Sequence, residues 1–381
     1  MGGGVRLSPA TPEPLVVALD ASALGSGRGG DESYVRTLVA GLAATTRPGD
    51  RARIYVRRGA TAPTDGNPAV VVDEIPQGGP VRLVTSLPAR ARRRRDELFV
   101  GYTHLPLPSP RRAALVITDL SFRHHPEHYP RLARARLSVL VPRQAARSET
   151  VITLSEFCRY DLIDGLGLDP DRVRVVPCAA EVPVALTPDE DERTRQWARS
   201  RGIRGPFILY LGNLHPRKNV ARLIRAHAGS STHGLQLVIA GGSWWAGGGE
   251  RAAAEDSPPG RVVMTGRVDD VQRSWLLRTA EALAYPSVFE GFGLPPLEAM
   301  AVGTPVLAAD ATAIPEVCGD AALLVDPYDV EALACGLERV VGDASLRSTL
   351  RARGIERVEH YSVRRAGEAL YAALSDGVAR A

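Results

Sequence analysis

Two carboxylates bracket seven residues in Glu290–Glu298 (EGFGLPPLE). Each carboxylate accepts several hydrogen bonds and donates none. Turned toward one ligand, such a pair suits a polyhydroxylated molecule, with a sugar ring at one acid and a ribose at the other. Gly291 and Gly293 let backbone approach a ligand closely. Pro295 and Pro296 fit the first turn of a helix, which puts Glu298 early on that helix. A plainer role stands beside this one: Glu298 as a partner of the helix dipole and Glu290 as a surface acid.

Gly212–Asn219 (GNLHPRKN) carries the second group, Arg217 and Lys218, before a helical pattern from about Val220. Helix N-termini favour anions, and two cations there suit a diphosphate that gains charge as it leaves. The lysine makes a point contact and the arginine can fork two oxygens. Of the 47 basic residues, Lys218 is the one lysine and the other 46 are arginine. A GC-biased genome explains the arginines but not the survivor, so a compact, strongly hydrated ammonium is expected to matter at this position. No G-x-x-x-x-G-K-[ST] occurs, which excludes a nucleotide-hydrolysing P-loop. A third stretch, Gly25–Gly30 (GSGRGG), follows a strand and opens a helix. Gly25, Gly27 and Gly30 have G-x-G-x-x-G spacing, but the strand ends four residues earlier. No convincing ribose-binding acid stands about 20 residues on. It reads as an anion-side or acceptor-side loop, or as a surface turn.

These groups need a frame. At 381 residues the chain should hold two domains, and 44% hydrophobic with 24% charged residues is ordinary globular composition. Apolar runs at Leu15–Asp20, Arg53–Val56, Val70–Val72, Ala114–Thr118, Thr150–Leu154 and Val173–Val176 alternate with helical stretches. The series restarts with Phe207–Leu211, Leu235–Ala240, Val262–Thr265, Ala282–Tyr285, Pro305–Ala308 and Ala322–Val325. This pattern predicts an α/β chain of two Rossmann-like, doubly wound parallel sheets, with the site in a central cleft beyond the strands' carboxyl ends. Residues 1–185 form the first expected domain and 186–360 the second. A helix within 361–381 is expected to return to the first. The start of the polar stretch Thr187–Arg204 reads as a linker, and Met1–Pro14 as a loose tail without a signal-peptide core.

Residues 1–185 hold 25 arginines against 19 acids, net +6; residues 186–381 hold 22 basic residues against 24 acids, net −2; together they give +4. The basic first half fits an anionic partner or a solvated surface. Arg90–Arg95 (RARRRR), with Arg111 and Arg112, leaves open a peripheral contact with lipid headgroups or an anionic acceptor. Without interleaved aromatics or a known module, nucleic-acid binding is not expected. Cys158, Cys178, Cys318 and Cys335 form no C-x-x-C pair, which argues for a reducing, cytoplasmic setting and against a zinc site. No apolar run approaches the roughly 20 residues of a membrane span.

Over these stretches the sequence resembles glycosyltransferase family 4, retaining enzymes of the GT-B fold. The E-x7-E pair lies within YPSVFEGFGLPPLEAMAVGTPVLA; GNLHPRKNVARLIRAH, AIPEV (Ala313–Val317), VITLSEF (Val151–Phe157) and VRVVP (Val173–Pro177) also match. The nearest flavour is the mannosyltransferase-like branch of polysaccharide assembly. The resemblance implies that Lys218 and Arg217 bind the donor diphosphate, that Glu290 holds the transferred sugar and that Glu298 holds the ribose. It gives backbone contacts to Phe292, Gly293 and Leu294, base-pocket positions to Arg267 and Val268, and phosphate contacts to Gly29, Gly30 and the Gly212 loop. It implies a GDP- or UDP-sugar as substrate, a hydroxyl acceptor, and neither cofactor nor metal. One departure stands out. The branch has His directly before Asp119, where this chain has Thr118, which puts the sugar contact in question. His104, His124 and His125 lie near in sequence. The departure keeps open a nucleotide-sugar-binding protein of the same fold with little or no turnover; an epimerase or a sugar phosphorylase is a further same-fold alternative.

Overall fold

In the computed structural model, residues 14–27, 29–76, 80–93, 97–232, 234–242 and 249–379 are described. The tail up to residue 13, Arg28 of the first glycine loop and Arg94–Arg95 of the arginine run lie outside them. Two compact units make up the chain. One holds residues up to Val116, Arg143–Val151 and residues from Gly367; the other holds Ile117–Pro142 and Ile152–Ala366.

The strands form where short apolar runs can be buried on both faces, as parallel sheets require. β1 (Val16–Asp20), β2 (Arg51–Arg57), β3 (Val70–Ile75), β4 (Leu98–Tyr102), β5 (Ala113–Val116), β6 (Thr150–Thr153) and β7 (Val173–Val175) are ordered β3-β2-β1-β4-β5-β6-β7. The run LFVGY of β4 is not among the expected strands, because it follows the arginine run and contains a glycine. All five residues are buried. Gly101 is needed there: a Cβ would lie 2.6 Å from the His104 carbonyl oxygen.

β8 (Phe207–Leu211), β9 (Gln236–Ala240), β10 (Val262–Gly266), β11 (Ala282–Tyr285), β12 (Val306–Ala309) and β13 (Leu323–Val325) form an all-parallel sheet ordered β10-β9-β8-β11-β12-β13. Its core joins Ile208, Tyr210, Leu237 and Ala284 to Leu223 and Ile224 of the helix Val220–Gly229 and to Leu337 of the helix Val330–Gly342. Close packing is why residue 336 is glycine, since a Cβ would lie 2.8 Å from Leu307 Cδ1.

The polar stretch expected to begin as a linker is instead a helix, Pro188–Ser200. Thr187 and Glu190 close a capping box, which satisfies the exposed amides at its start. Only Thr194 and Ala198 of its residues are buried, so the apolar periodicity that announces a helix is missing. At the carboxyl end the helix Val363–Ala379 carries Gly367 against the Gly41 backbone, where any side chain would collide. Thr45 Oγ1 donates to the Gly367 carbonyl at 3.3 Å.

The strand order of the second sheet places its switch point between β8 and β11. Loops leaving the carboxyl ends of those two strands diverge there, and ligands of doubly wound sheets bind at that place. The loop after β8 carries Arg217 and Lys218, and the loop after β11 carries Glu290. Among the described residues no helix is long and apolar enough to cross a membrane.

Candidate functional site

Local chemistry shapes the first loop. Gly212 has φ 150 and packs so close to Gly241 that a Cβ on Gly241 would run into the Gly212 carbonyl. His215 caps a single 3-10 turn, Pro216–Lys218, with its Nδ1 accepting the Arg217 N–H at 3.3 Å. Asn219 then takes φ 62, and its amide donates to the carbonyls of Pro286 (3.1 Å) and Pro327 (2.7 Å). The Val288 N–H donates to the Arg217 carbonyl at 2.8 Å, so the two loops are tied by backbone as well.

Four side chains meet where the loops cross. Lys218 Nζ donates to Glu290 Oε1 and, at 2.8 Å, to the Tyr285 hydroxyl. Tyr285 donates to the same Oε1 at 2.8 Å. Arg217 Nη1 donates to Glu290 Oε2 at 2.8 Å and to the Phe289 carbonyl at 2.7 Å. The Glu290 N–H is held by Thr312 Oγ1 at 3.0 Å. Side-chain exposure is 7% for Glu290, 12% for Lys218 and 25% for Arg217.

Burial would push the Glu290 carboxyl upward, but Arg217 and Lys218 outweigh it and hold it at about 2. Burial draws the Lys218 ammonium down to about 8, with Glu290 pulling the other way. Burial also opposes the Arg217 charge, yet Glu290 and Asp119 keep it above the ordinary arginine value. At neutral pH the group holds two cations on one carboxylate. An ammonium has three donors, and among the described residues Lys218 uses two on protein. Of about four acceptor positions on the Glu290 carboxylate, three are taken. One donor and one acceptor are thus left for a ligand.

Beyond Glu290 the chain approaches its neighbours too closely for side chains. A Cβ on Gly291 would lie 2.6 Å from the Thr118 carbonyl oxygen, and one on Gly293 (φ 114) would lie 2.5 Å from Ile314 Cδ1. Gly293 opens the helix Leu294–Ala301, whose first amides have no side-chain cap. Phe292 is buried edge-on against Tyr361, with ring centres 5.4 Å apart. Glu298 is buried and accepts from Arg273 Nη1 at 3.0 Å; Arg273 also faces Glu181 at 3.4 Å. Burial raises the Glu298 carboxyl to about 7 despite Arg273. Arg267 and Val268 follow β10, and a Cβ on Gly242 would meet Arg267 Cγ at 2.9 Å.

The structure therefore joins Lys218, Arg217 and Glu290 in one group and puts Glu298 in a separate ion pair. Asp119 lies in the same unit; its carboxylate accepts from the N–H and hydroxyl of Ser121. The Thr118 carbonyl receives the Cys158 thiol at 3.2 Å. His124 bonds Asp161 at 2.7 Å, and both His124 and His125 pack on Phe289 at 5.3 and 5.4 Å between ring centres. Gly29, Gly30 and His104 belong to the other unit. There Glu32 already accepts the Gly25 and Gly27 N–H groups, each at 2.9 Å, and Gly29 (φ 49) precedes the helix Gly30–Thr45. His104 is buried after β4. Tyr285, Thr312, Arg273 and Glu181 escaped the sequence reading. Only Tyr285 had a signal, as the last residue of a strand that ends beside the acidic motif.

Residues 194–357 match the family described as Glycosyl transferases group 1. The O-antigen chain mannosyltransferase B of Escherichia coli is 28% identical over 261 residues, which are 66% of this chain and 67% of that protein. The serotype-specific mannosyltransferase WbdA of Escherichia coli is 26% identical over 222 residues, 57% of this chain but only 27% of WbdA. Among solved structures, sucrose-phosphate synthase from Thermosynechococcus elongatus superposes with TM-score 0.71 at 22% identity, over 96% of this chain and all of that one (100%). Anabaena HepE in complex with UDP-glucose gives TM-score 0.68 at 17% identity, over 94% and 99% of the two chains. The family match covers the residues that build the β8 and β11 loops, the two relatives named are mannosyltransferases, and the two solved structures share the fold; the chain is thus similar to the group 1 glycosyl transferases over residues 194–357 and to these mannosyltransferases over 57–66% of its length.

Proposed function

We propose that the protein is a retaining hexosyltransferase that moves a sugar from a GDP- or UDP-sugar to an acceptor hydroxyl without a metal or other cofactor. The observation that carries this reading is the buried Lys218–Arg217–Tyr285–Glu290 group at the switch point of the second sheet. Mannosyltransferase relatives and the UDP-glucose complex of HepE support the donor class.

In this reading Lys218 and Arg217 receive the diphosphate, Glu290 takes a hydroxyl of the transferred sugar, and Glu298 takes the ribose. The Phe292–Leu294 amides, Gly212, Arg267 and Val268 line the donor, with Asp119 and Thr118 on the sugar side. The sugar–phosphate bond breaks first and leaves an oxocarbenium-like carbon. The acceptor hydroxyl attacks from the face the phosphate left, and a phosphate oxygen takes its proton. The protein's share is positioning and stabilisation of charge on the leaving diphosphate. Thr118, standing where the branch has an imidazole, favours one second reading: a donor-binding protein or epimerase with little or no transfer.

The test is a binding panel of GDP, UDP and their hexose conjugates by calorimetry, followed by donor turnover in EDTA. Binding of one diphosphate and metal-free release of it from its sugar conjugate is the expected result. Binding with no release, with or without candidate acceptors, selects the second reading. Absence of binding to every diphosphate overturns both.

A further inference from the structure

The segment Ser121–Tyr129 contains a histidine cluster that the donor chemistry does not use. Pro126–His128 forms a 3-10 turn capped by His125, and the His128 N–H donates to the His125 carbonyl at 3.0 Å. Side chains three apart eclipse in such a turn. The His125 and His128 rings accordingly stack, 18° from parallel with centres 5.3 Å apart. Both aim a nitrogen at one oxygen of Glu127: His125 Nδ1 is 3.4 Å and His128 Nε2 is 3.6 Å from Oε1. All three ligand atoms lie within 4.8 Å of one another.

The 3.4 Å contact is a hydrogen bond at the long end of its range, and the 3.6 Å contact lies beyond that range. They match another geometry. Imidazole and carboxylate ligands sit roughly 2.0–2.2 Å from zinc, so neighbouring corners of the tetrahedron lie about 3.4 Å apart. Glu127 is 62% exposed and free to adjust, while His125 and His128 are 23% and 14% exposed and fixed by the turn. His128 Nδ1 is buried with no hydrogen-bond partner among the described residues, so the ring's polar contact is made through the Nε2 side. The ring of His215 stands edge-on to His128 at 5.0 Å between centres.

We propose that His125, Glu127 and His128 form a binding site for a borderline divalent transition ion such as Zn2+, with a fourth position open to water or a further ligand. Two imidazoles and one carboxylate suit Zn2+, Co2+ or Ni2+ rather than Mg2+ or Ca2+, which prefer all-oxygen sets. The site is separate from the cation pair and supplies no step of the proposed transfer. It would stiffen the 125–128 turn, whose His125 packs on Phe289, and the Phe289 carbonyl holds Arg217.

The probe is Co2+, added to the full chain after tag removal and exhaustive dialysis against EDTA. One Co2+ per chain is expected, with the intense visible absorption of a four-coordinate ion. Mg2+ in large excess should not displace it. Glu127→Gln and His125→Ala should each weaken binding at least about tenfold. His360→Ala, at a surface histidine elsewhere, should not change it. Thermal unfolding without metal should match between wild type and Glu127→Gln, because Glu127 is exposed. A pale six-coordinate spectrum, displacement by Mg2+, or unchanged affinity in both variants overturns the site.

Discussion

The Lys218 ammonium and the Glu290 carboxylate, 72 residues apart in the chain, share the Tyr285 hydroxyl, which lies 2.8 Å from each. Tyr285 ends β11, Glu290 lies in the loop that follows it, and Lys218 arrives from the loop after β8. The switch point thus converts two loop sequences into one charge cluster.

Removing the ammonium should strike transfer more than folding. For Lys218→Ala we expect donor turnover to fall by about 10²- to 10³-fold, the range for loss of one preorganised electrostatic donor. Lys218→Arg should not restore it, since a planar fork cannot take the place of a point charge seated between Tyr285 and Glu290. Steady-state kinetics beside a circular dichroism melt separates the effects. Wild-type turnover in Lys218→Ala would refute its assignment to the diphosphate.

Tyr285→Phe deletes one hydroxyl and keeps the ring over which Lys218 sits, 5.1 Å from Nζ to centroid. The loss should be about 1 kcal/mol of stability, the net worth of a hydrogen bond or two in a buried network. Donor affinity should fall as well, because the ammonium loses one of its two anchors. Urea denaturation and calorimetry with the preferred diphosphate read both quantities.

Glu298 should give the fold a measurable pH dependence. Its folded pKa, raised to about 7 by burial, exceeds the ordinary glutamate value of about 4.5. The folded state therefore binds a proton more tightly than the unfolded state. Its contribution is most favourable below about 4.5 and declines as pH rises through about 7. Wild type should lose stability across that window relative to Glu298→Gln, by up to about 1.4 kcal/mol per pH unit. Arg273→Ala should carry the loss to higher pH, since without its counterion the buried acid holds its proton further up. Denaturant midpoints measured at each pH would show parallel profiles if the acid were not protonated on folding.

Two glycines, one in each unit, should respond differently to an added methyl. Gly291→Ala meets the Thr118 carbonyl oxygen at 2.6 Å, which backbone cannot easily yield. A destabilisation of about 1–3 kcal/mol follows, as for other overpacked positions. Gly30→Ala meets nothing within 4 Å and lies at the start of a helix, so it should be neutral or slightly stabilising. Melting temperatures of the two variants are the check.

Sequence alone determined the elements and the chemical inventory. Twelve of the strands announce themselves as apolar runs, because burial on both faces leaves little choice of residue. The lone lysine, the spaced acids and the prolines before Glu298 reveal chemistry because each depends on residue type rather than on neighbours. Tertiary structure decided the rest. β4 stayed hidden because an arginine run precedes its short apolar core, and the helix Pro188–Ser200 because it buries almost nothing. Pairing Lys218 with Glu290, Arg273 with Glu298, and Thr312 with the Glu290 amide depends on which loops the strand order brings side by side. Such partners are far apart in the chain, and local propensity carries no information about them.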